Sequence, residues 1–394
     1  MIADRLKKVS PSLTLAIDAK AKQMIKDGVD LVGFGAGEPD FNTPDNIKEA
    51  GINAIKANKT RYTPASGMVE LKTAVSEKFR RDNGLEYRPS DIIISCGAKH
   101  SLYNVFTAII NPGDEVIIFS PYWVSYEEQV KIADGIPVFV ELDEARNFEI
   151  DFDLLRSKIN KKTKAMLINS PSNPTGAVLS ESSLKKLAEI ALQNNIIIVS
   201  DEIYEKLIYN GKKHISIASF SKEVKARTIT VNGVSKAYAM TGWRIGYLAA
   251  DDREIISAID NLQSHSTSNP ATMTQLAAIE ALKTPESVIG GMVTEFDRRR
   301  KHILERVRAI AGLTAVEPEG AFYVFPNFSA LKGKTIKGKA INGSLDLADM
   351  LLNEAKVAVV PGIAFGSDSH FRMSYATSMQ NIDKGLDRIA EALK

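Results

Sequence analysis

The sequence predicts an α/β protein: a mostly parallel sheet with helices on both faces, and a smaller α+β region beside it. Three observations carry this. Short apolar, β-branched runs recur, namely "DIIIS", "EVIIF", "IPVFV", "KAMLIN", "NIIIVS", "RTITV" and "GYLAA". Stretches with helical period separate several of them. Beyond about residue 286 the runs become fewer and mix with helices. A strand that is apolar throughout has no polar face to turn to water. Both sides of its sheet must therefore be covered, as they are where crossover helices join parallel strands.

The N-terminal segment, "MIADRLKKVSPSL", has no apolar core of signal-peptide length, and no run approaches a membrane span, so a cytoplasmic location is expected. The sheet block begins near residue 46. After Gly97, residues Leu102, Val105, Phe106 and Ile109 fall on one helix face. After Ser180, a good N-cap, so do Leu184, Leu187, Ala188 and Ala191. Residues 286 to 311 read as one long helix carrying "DRRRK", and its "RRRK" at 298 to 301 is expected as a solvated face. "GAFYVFPNF" follows. The Lys/Gly-rich "LKGKTIKGKAINGS" is expected as a mobile surface loop. A strand "AKVAVVPG" and an amphipathic helix from Asn381 close the chain. The expected division is a large domain over 46–285 and a small domain formed by 1–45 with 286–394.

Composition narrows the function. The chain has 394 residues, 44% hydrophobic and 25% charged, and 50 basic against 48 acidic residues leave a net charge of +2. Nothing global points to nucleic acid or an anionic membrane. A single cysteine, Cys96, excludes an internal disulfide and reads as a buried, inert thiol. Several motif fragments fail on inspection. "GFGAG" (33–37) runs into Glu38-Pro39-Asp40, which is turn chemistry and not the helix of a dinucleotide site. "GKTIKGKA" (333–340) ends in Ala340 where a phosphate loop needs Ser or Thr. "GVSKA" lacks the last glycine of a hydrolase elbow. The five histidines show no metal-ligand spacing.

In doubly wound sheets ligands gather at the carboxyl ends of the strands. There the sequence places Gly97-Ala98-Lys99 opening a helix, an anion site by its free N–H groups and dipole. It also places Trp123, Asn173 before a proline, Asp201 with Tyr204, and Ser235-Lys236 with Arg244. An anion cradle, an aromatic plane, a carboxylate, a phenol, an amine and an arginine together match the needs of pyridoxal 5′-phosphate (PLP). Its aldehyde takes a lysine, its ring nitrogen a carboxylate, and its phosphate an arginine and N–H donors.

With "SPSNPTGAV", "VSDEIYE", "SKAYAMTGWRIGY" and "FRMSYA" in this order, joined by "AGEPDF" and "RYTPASG", the chain resembles the fold-type I PLP enzymes of the aspartate aminotransferase family over essentially its whole length. The resemblance implies a seven-stranded, mostly parallel sheet and a homodimer with shared sites. It implies that Lys236 carries the cofactor, that Asp201 pairs with its ring nitrogen, and that Tyr204 and Asn173 bind its 3′-oxygen. Trp123 would stack on the ring. Ala98, Lys99, Ser235 and Arg244 would surround the phosphate, with Tyr62 reaching it from the partner subunit. Arg372 would clamp the substrate α-carboxylate as a bidentate fork, assisted by Asn173 and Gly37.

The reaction so implied is ping-pong transamination between L-aspartate and 2-oxoglutarate, with Lys236 as general base and acid. One branch of the family binds the distal carboxylate with an arginine of the partner subunit, near "LQSHSTSNP", where this chain has none. In the bacterial branch it resembles, Lys99 would do so, helped by Ser12 and Thr14. That branch also includes enzymes that aminate prephenate to arogenate. A PLP β-lyase and a non-catalytic PLP-binding regulator are the other readings.

Overall fold

A computed structural model describes residues 2–394. The seven apolar runs form one seven-stranded sheet. Its strands are β1 (Ile92–Ser95), β2 (Glu115–Ser120), β3 (Ile136–Glu141), β4 (Thr163–Asn169), β5 (Ile197–Asp201), β6 (Thr228–Gly233) and β7 (Gly246–Ala249). The spatial order is β1-β7-β6-β5-β4-β2-β3. Neighbours from β6 through β3 are parallel, whereas β7 runs antiparallel to both β6 and β1.

Side chains alternate between the faces, as strand geometry requires. Val116 and Ile118 of β2, Ala165 and Leu167 of β4, and Val199 of β5 share a core with the helix Ala98–Ile109. Ile117, Met166, Ile168 and Ile198 share the opposite core with the helix Glu181–Gln193. Both helices bury the faces read from the sequence. Ser180 caps the second, accepting the Ser183 N–H at 3.2 Å.

A separate core gathers the helix Glu286–Arg308, the closing helix Met379–Ala392 and a three-stranded antiparallel sheet of Tyr323–Val324, Phe371–Ser374 and Val360–Pro361. The early segment joins this region: Val32–Gly33 pairs in parallel with Val357–Ala358. The single strand expected in "AKVAVVPG" is therefore two short strands divided at Val359, because each half pairs with a different partner.

Two expectations are corrected. The stretch "LKGKTIKGKAINGS" lies at the surface as expected, but it is not an irregular loop: it carries a hairpin of Thr335–Ile336 and Lys339–Ala340. Fully buried Ile341 anchors it and exchanges backbone hydrogen bonds with Gly333 and Lys334. The run "RRRK" is solvated only at Arg298 and Lys301. Arg299 is buried against Asp40 and Glu295, and Arg300 is fully buried between Asp297, Glu317 and Asn210. Phe296, Ile303, Leu304 and Val307 define the inward face of this helix, and positions 299 and 300 fall on it.

Candidate active site

The antiparallel entry of β7 organises the site. An antiparallel strand enters a sheet at the edge where its neighbours leave it. Arg244, just before β7, therefore meets Ser235 and Lys236, just after β6, and Gly97 and Ala98, just after β1. The packing there has no slack. Gly97 sits at φ 90°, and a Cβ on it would run into the Arg244 guanidinium. A Cβ on Gly246 would overlap the backbone of Gly97 and Ala98. Arg244, itself in the left-handed region at φ 55°, donates to the carbonyls of Thr241 (2.7 Å) and Cys96 (3.3 Å). Ala98 opens a twelve-residue helix whose first N–H groups face the same edge.

The other strand ends complete a cavity of about 480 Å³. From β5, Asp201 is buried; it accepts the Tyr126 hydroxyl at 2.7 Å and the Ile203 N–H at 3.2 Å. Burial raises its pKa to about 6. Tyr204, also buried, exchanges a hydrogen bond with the Tyr323 hydroxyl at 2.8 Å. From β4 come Asn169, which donates to the Asp201 carbonyl, and Asn173, whose peptide bond to Pro174 is cis. From β2 comes Trp123, edge-on to Tyr126, with the Lys99 ammonium 4.8 Å from its ring centroid. Burial lowers the pKa of Lys99, and the Arg244 charge adds to this.

Lys236 Nζ donates to the Gly37 carbonyl at 2.5 Å, and burial lowers its pKa to about 8. Arg372, on the strand Phe371–Ser374, donates Nη1 to Asn173 Oδ1 and Nη2 to the Gly35 carbonyl, each at 2.9 Å. Its Nε is buried without a hydrogen-bond partner. The guanidinium lies over the rings of Tyr323 (4.4 Å) and Phe365 (4.9 Å). Among the described residues no carboxylate lies within ion-pair distance of Lys99, Lys236, Arg244 or Arg372.

A family model described as aminotransferase class I and II matches residues 29–389. The chain belongs to that family. An aspartate aminotransferase of Bacillus sp. (strain YM-2) is 53% identical, covering 100% of this chain and 99% of that one. A protein of Aquifex aeolicus named probable aspartate/prephenate aminotransferase is 48% identical over 100% of this chain and 98% of its own. Among solved structures, the aspartate aminotransferase of Rhizobium meliloti superposes with a TM-score of 0.96 at 42% identity, covering 100% of this chain and 98% of that one. That of Thermus thermophilus with maleate does so at 0.93 and 44%, covering 100% of both.

In this aminotransferase the cavity brings together Ser12, Thr14, Gly37, Ala98, Lys99, Trp123, Asn173, Asp201, Tyr204, Ser235, Lys236, Arg244 and Arg372. Tyr62 lies outside it and is 91% exposed. Among the contributors that went unread in the sequence are Tyr126, Tyr323, Asn169 and Gly35, and also Glu38, which accepts the Thr241 hydroxyl at 2.7 Å. Tyr323 lies in the quoted "GAFYVFPNF" and Asn169 ends "KAMLIN", so strand-end position was the available signal for Asn169. Nothing local marks Tyr126 or Tyr323, whose partners are distant in sequence.

Proposed function

We propose that the chain is a PLP-dependent aspartate aminotransferase, which moves the amino group of L-aspartate to 2-oxoglutarate and yields oxaloacetate and L-glutamate. One observation carries the reading: Arg372 and Lys99, cations without a carboxylate partner among the described residues, open onto the same cavity as Lys236. A buried arginine with an unsatisfied Nε is a receptor for one carboxylate, and Lys99 is available for a second. The Thermus relative was solved with maleate, a four-carbon dicarboxylate, which supports the same reading.

The residues present fit PLP. Asp201 is a buried carboxylate with no ion-pair partner among the described residues, which suits a protonated ring nitrogen. Arg244, Ser235 and the helix start at Ala98 form an anion cradle, and among the described residues no carboxylate pairs with Arg244. The cofactor supplies an aldehyde that links to amines and a ring that accepts electrons from the substrate Cα. Lys236 would hold that aldehyde, and its Nζ, once freed, would be the group that takes the proton from the substrate Cα and gives it back, as general base and then acid. Arg372 fixes the α-carboxylate, which sets the Cα–H direction, while Trp123 and Tyr204 bound the ring. Tyr62, exposed on this subunit, would reach the phosphate of a partner in a homodimer.

L-Aspartate alone, added to the PLP-loaded protein, should give one equivalent of oxaloacetate with loss of the aldehyde absorbance, and turnover only after 2-oxoglutarate is added. Lys236→Ala should lower the rate at least about a thousandfold. Continuous ammonia release without an oxo acid would replace this reading by a β-lyase. A second acceptor, prephenate, is favoured by the relatives named aspartate/prephenate aminotransferase and by the hydroxyls of Ser12 and Thr14, 2.9 Å apart at the cavity wall. Comparing oxaloacetate with prephenate as amino acceptors decides it.

A further inference from the structure

The turn that follows β5, "DEIYE" (201–205), has two faces. Asp201 and Tyr204 line the cavity. Glu202 and Glu205, with the same spacing of three, point the other way into a buried cluster of charged groups. Glu202 is 1% exposed. Its Oε1 accepts the hydroxyls of Ser200 (2.9 Å) and Ser216 (2.7 Å), and its Oε2 lies 3.0 Å from His214 Nε2. Glu205 pairs with Lys78 and accepts Asn83 Nδ2 at 2.9 Å. Lys78 donates also to Asn83 Oδ1 at 2.7 Å, and Asp82 pairs with Lys206 at 3.1 Å.

Glu202, Glu205 and His214 lie close enough together to ligate a metal. The cluster carries its own cations instead: the Lys78 ammonium is bonded to Glu205, and the Glu202 oxygens are occupied by hydroxyls and imidazole. A charge set balanced in this way holds backbone in place. The backbone is tied as well, through Glu202 N–H to the Val231 carbonyl and Glu205 N–H to the Glu202 carbonyl, both at 2.9 Å.

We propose that Glu202 and Glu205 are positioning residues: anchored in the cluster, they fix the turn so that Asp201 and Tyr204 meet the cofactor at a set angle. Neither touches the cavity. The inference rests on the reading of the cavity as a PLP site. It predicts that loosening the rear face costs cofactor affinity and kcat, while substrate anchoring at Arg372 is spared.

The test compares wild type, Glu202→Ala, Glu202→Gln and a control, Ile389→Ala, which opens the buried face of the closing helix and touches none of the charged groups behind the turn. PLP dissociation constants of the apoproteins, kcat and KM for aspartate, and Tm are measured. Glu202→Ala should bind PLP at least tenfold more weakly and lose at least tenfold in kcat, with KM within threefold of wild type. Glu202→Gln keeps an acceptor for both serines and should recover most of the affinity. Should Glu202→Ala fail to fold, Ser216→Ala removes one of the two hydroxyl anchors and should weaken PLP about threefold. Unchanged affinity in Glu202→Ala, or in Ser216→Ala where that variant decides, overturns the proposal. So does an equal loss of affinity in an Ile389→Ala protein of matched Tm. Wild type that does not bind PLP overturns the proposed function and this inference together.

Discussion

Lys99 stands in the first turn of a helix, where a positive charge opposes the helix dipole, and burial lowers its pKa further. An ammonium kept under both penalties is accounted for by an anion that joins it. Lys99→Met should therefore lower kcat/KM for aspartate about 10- to 100-fold, the value of one charge-assisted hydrogen bond, and leave monocarboxylic amino donors unchanged. Steady-state kinetics with aspartate and alanine check this. Two other residues set a pH signature of the apoprotein. The pKa of Asp201 is raised by burial to about 6, so its favourable contribution is present below the unfolded value near 4 and is lost as pH rises through about 6. Lys236 is lowered to about 8, so its contribution is present above about 10.4 and is lost as pH falls through about 8. Both groups are charged and costly between about pH 6 and 8. The Tm gain of apo Asp201→Asn over wild-type apoprotein should grow from about pH 4 to 6 and then level off. A gain independent of pH would contradict this assignment.

Elements, more than single residues, decide what could be read from the sequence. Every strand of the large sheet was legible, because each is a continuous apolar run with helices on both sides. The strand-end constellation was legible too, since doubly wound sheets place ligands there. The antiparallel setting of β7 was not legible: "GYLAA" reads the same in either direction. Arg299 and Arg300 were misplaced because a run of charges was weighed as a block, although the period of Phe296, Ile303 and Val307 turns both of them inward. Tyr126 and Tyr323 were missed because their partners, Asp201 and Tyr204, come from distant segments. One prediction belongs at this scale. Gly97→Ala would strain a left-handed backbone and displace Arg244 from the strand edge, so PLP affinity should fall more than tenfold. Fluorescence titration of the apoprotein with PLP measures it.

At the scale of the whole molecule, the long helix Glu286–Arg308 ties the small region to the loop that serves the cavity. Arg299 Nη1 bonds both oxygens of Asp40 at 2.8 Å, three residues after Gly37, which holds Lys236. On the outside, Tyr62 is 91% exposed, with Ile52, Ile55 and Val69 also bare, a composition that suits contact with a second subunit. The homodimer proposed above then makes a specific demand. Tyr62→Phe should weaken PLP about tenfold, and a mixed dimer of Tyr62→Phe with Lys236→Ala should hold one fully functional site, because the intact Tyr62 serves the subunit that keeps Lys236; no fully functional site would contradict this. Activity of purified mixed dimers tests this; a monomer with full activity would end it.

The position of β1 at the edge of the sheet has a consequence for how the protein is made. β1 meets the sheet only through β7, and Ser95 pairs with Gly246. Gly97 and Ala98 are therefore synthesised early and wait, with half an anion site, until the chain has grown past Arg244. Pairings so distant in sequence are late and slow to form. On the function proposed above, a fragment that ends before Arg244 should therefore not take up PLP.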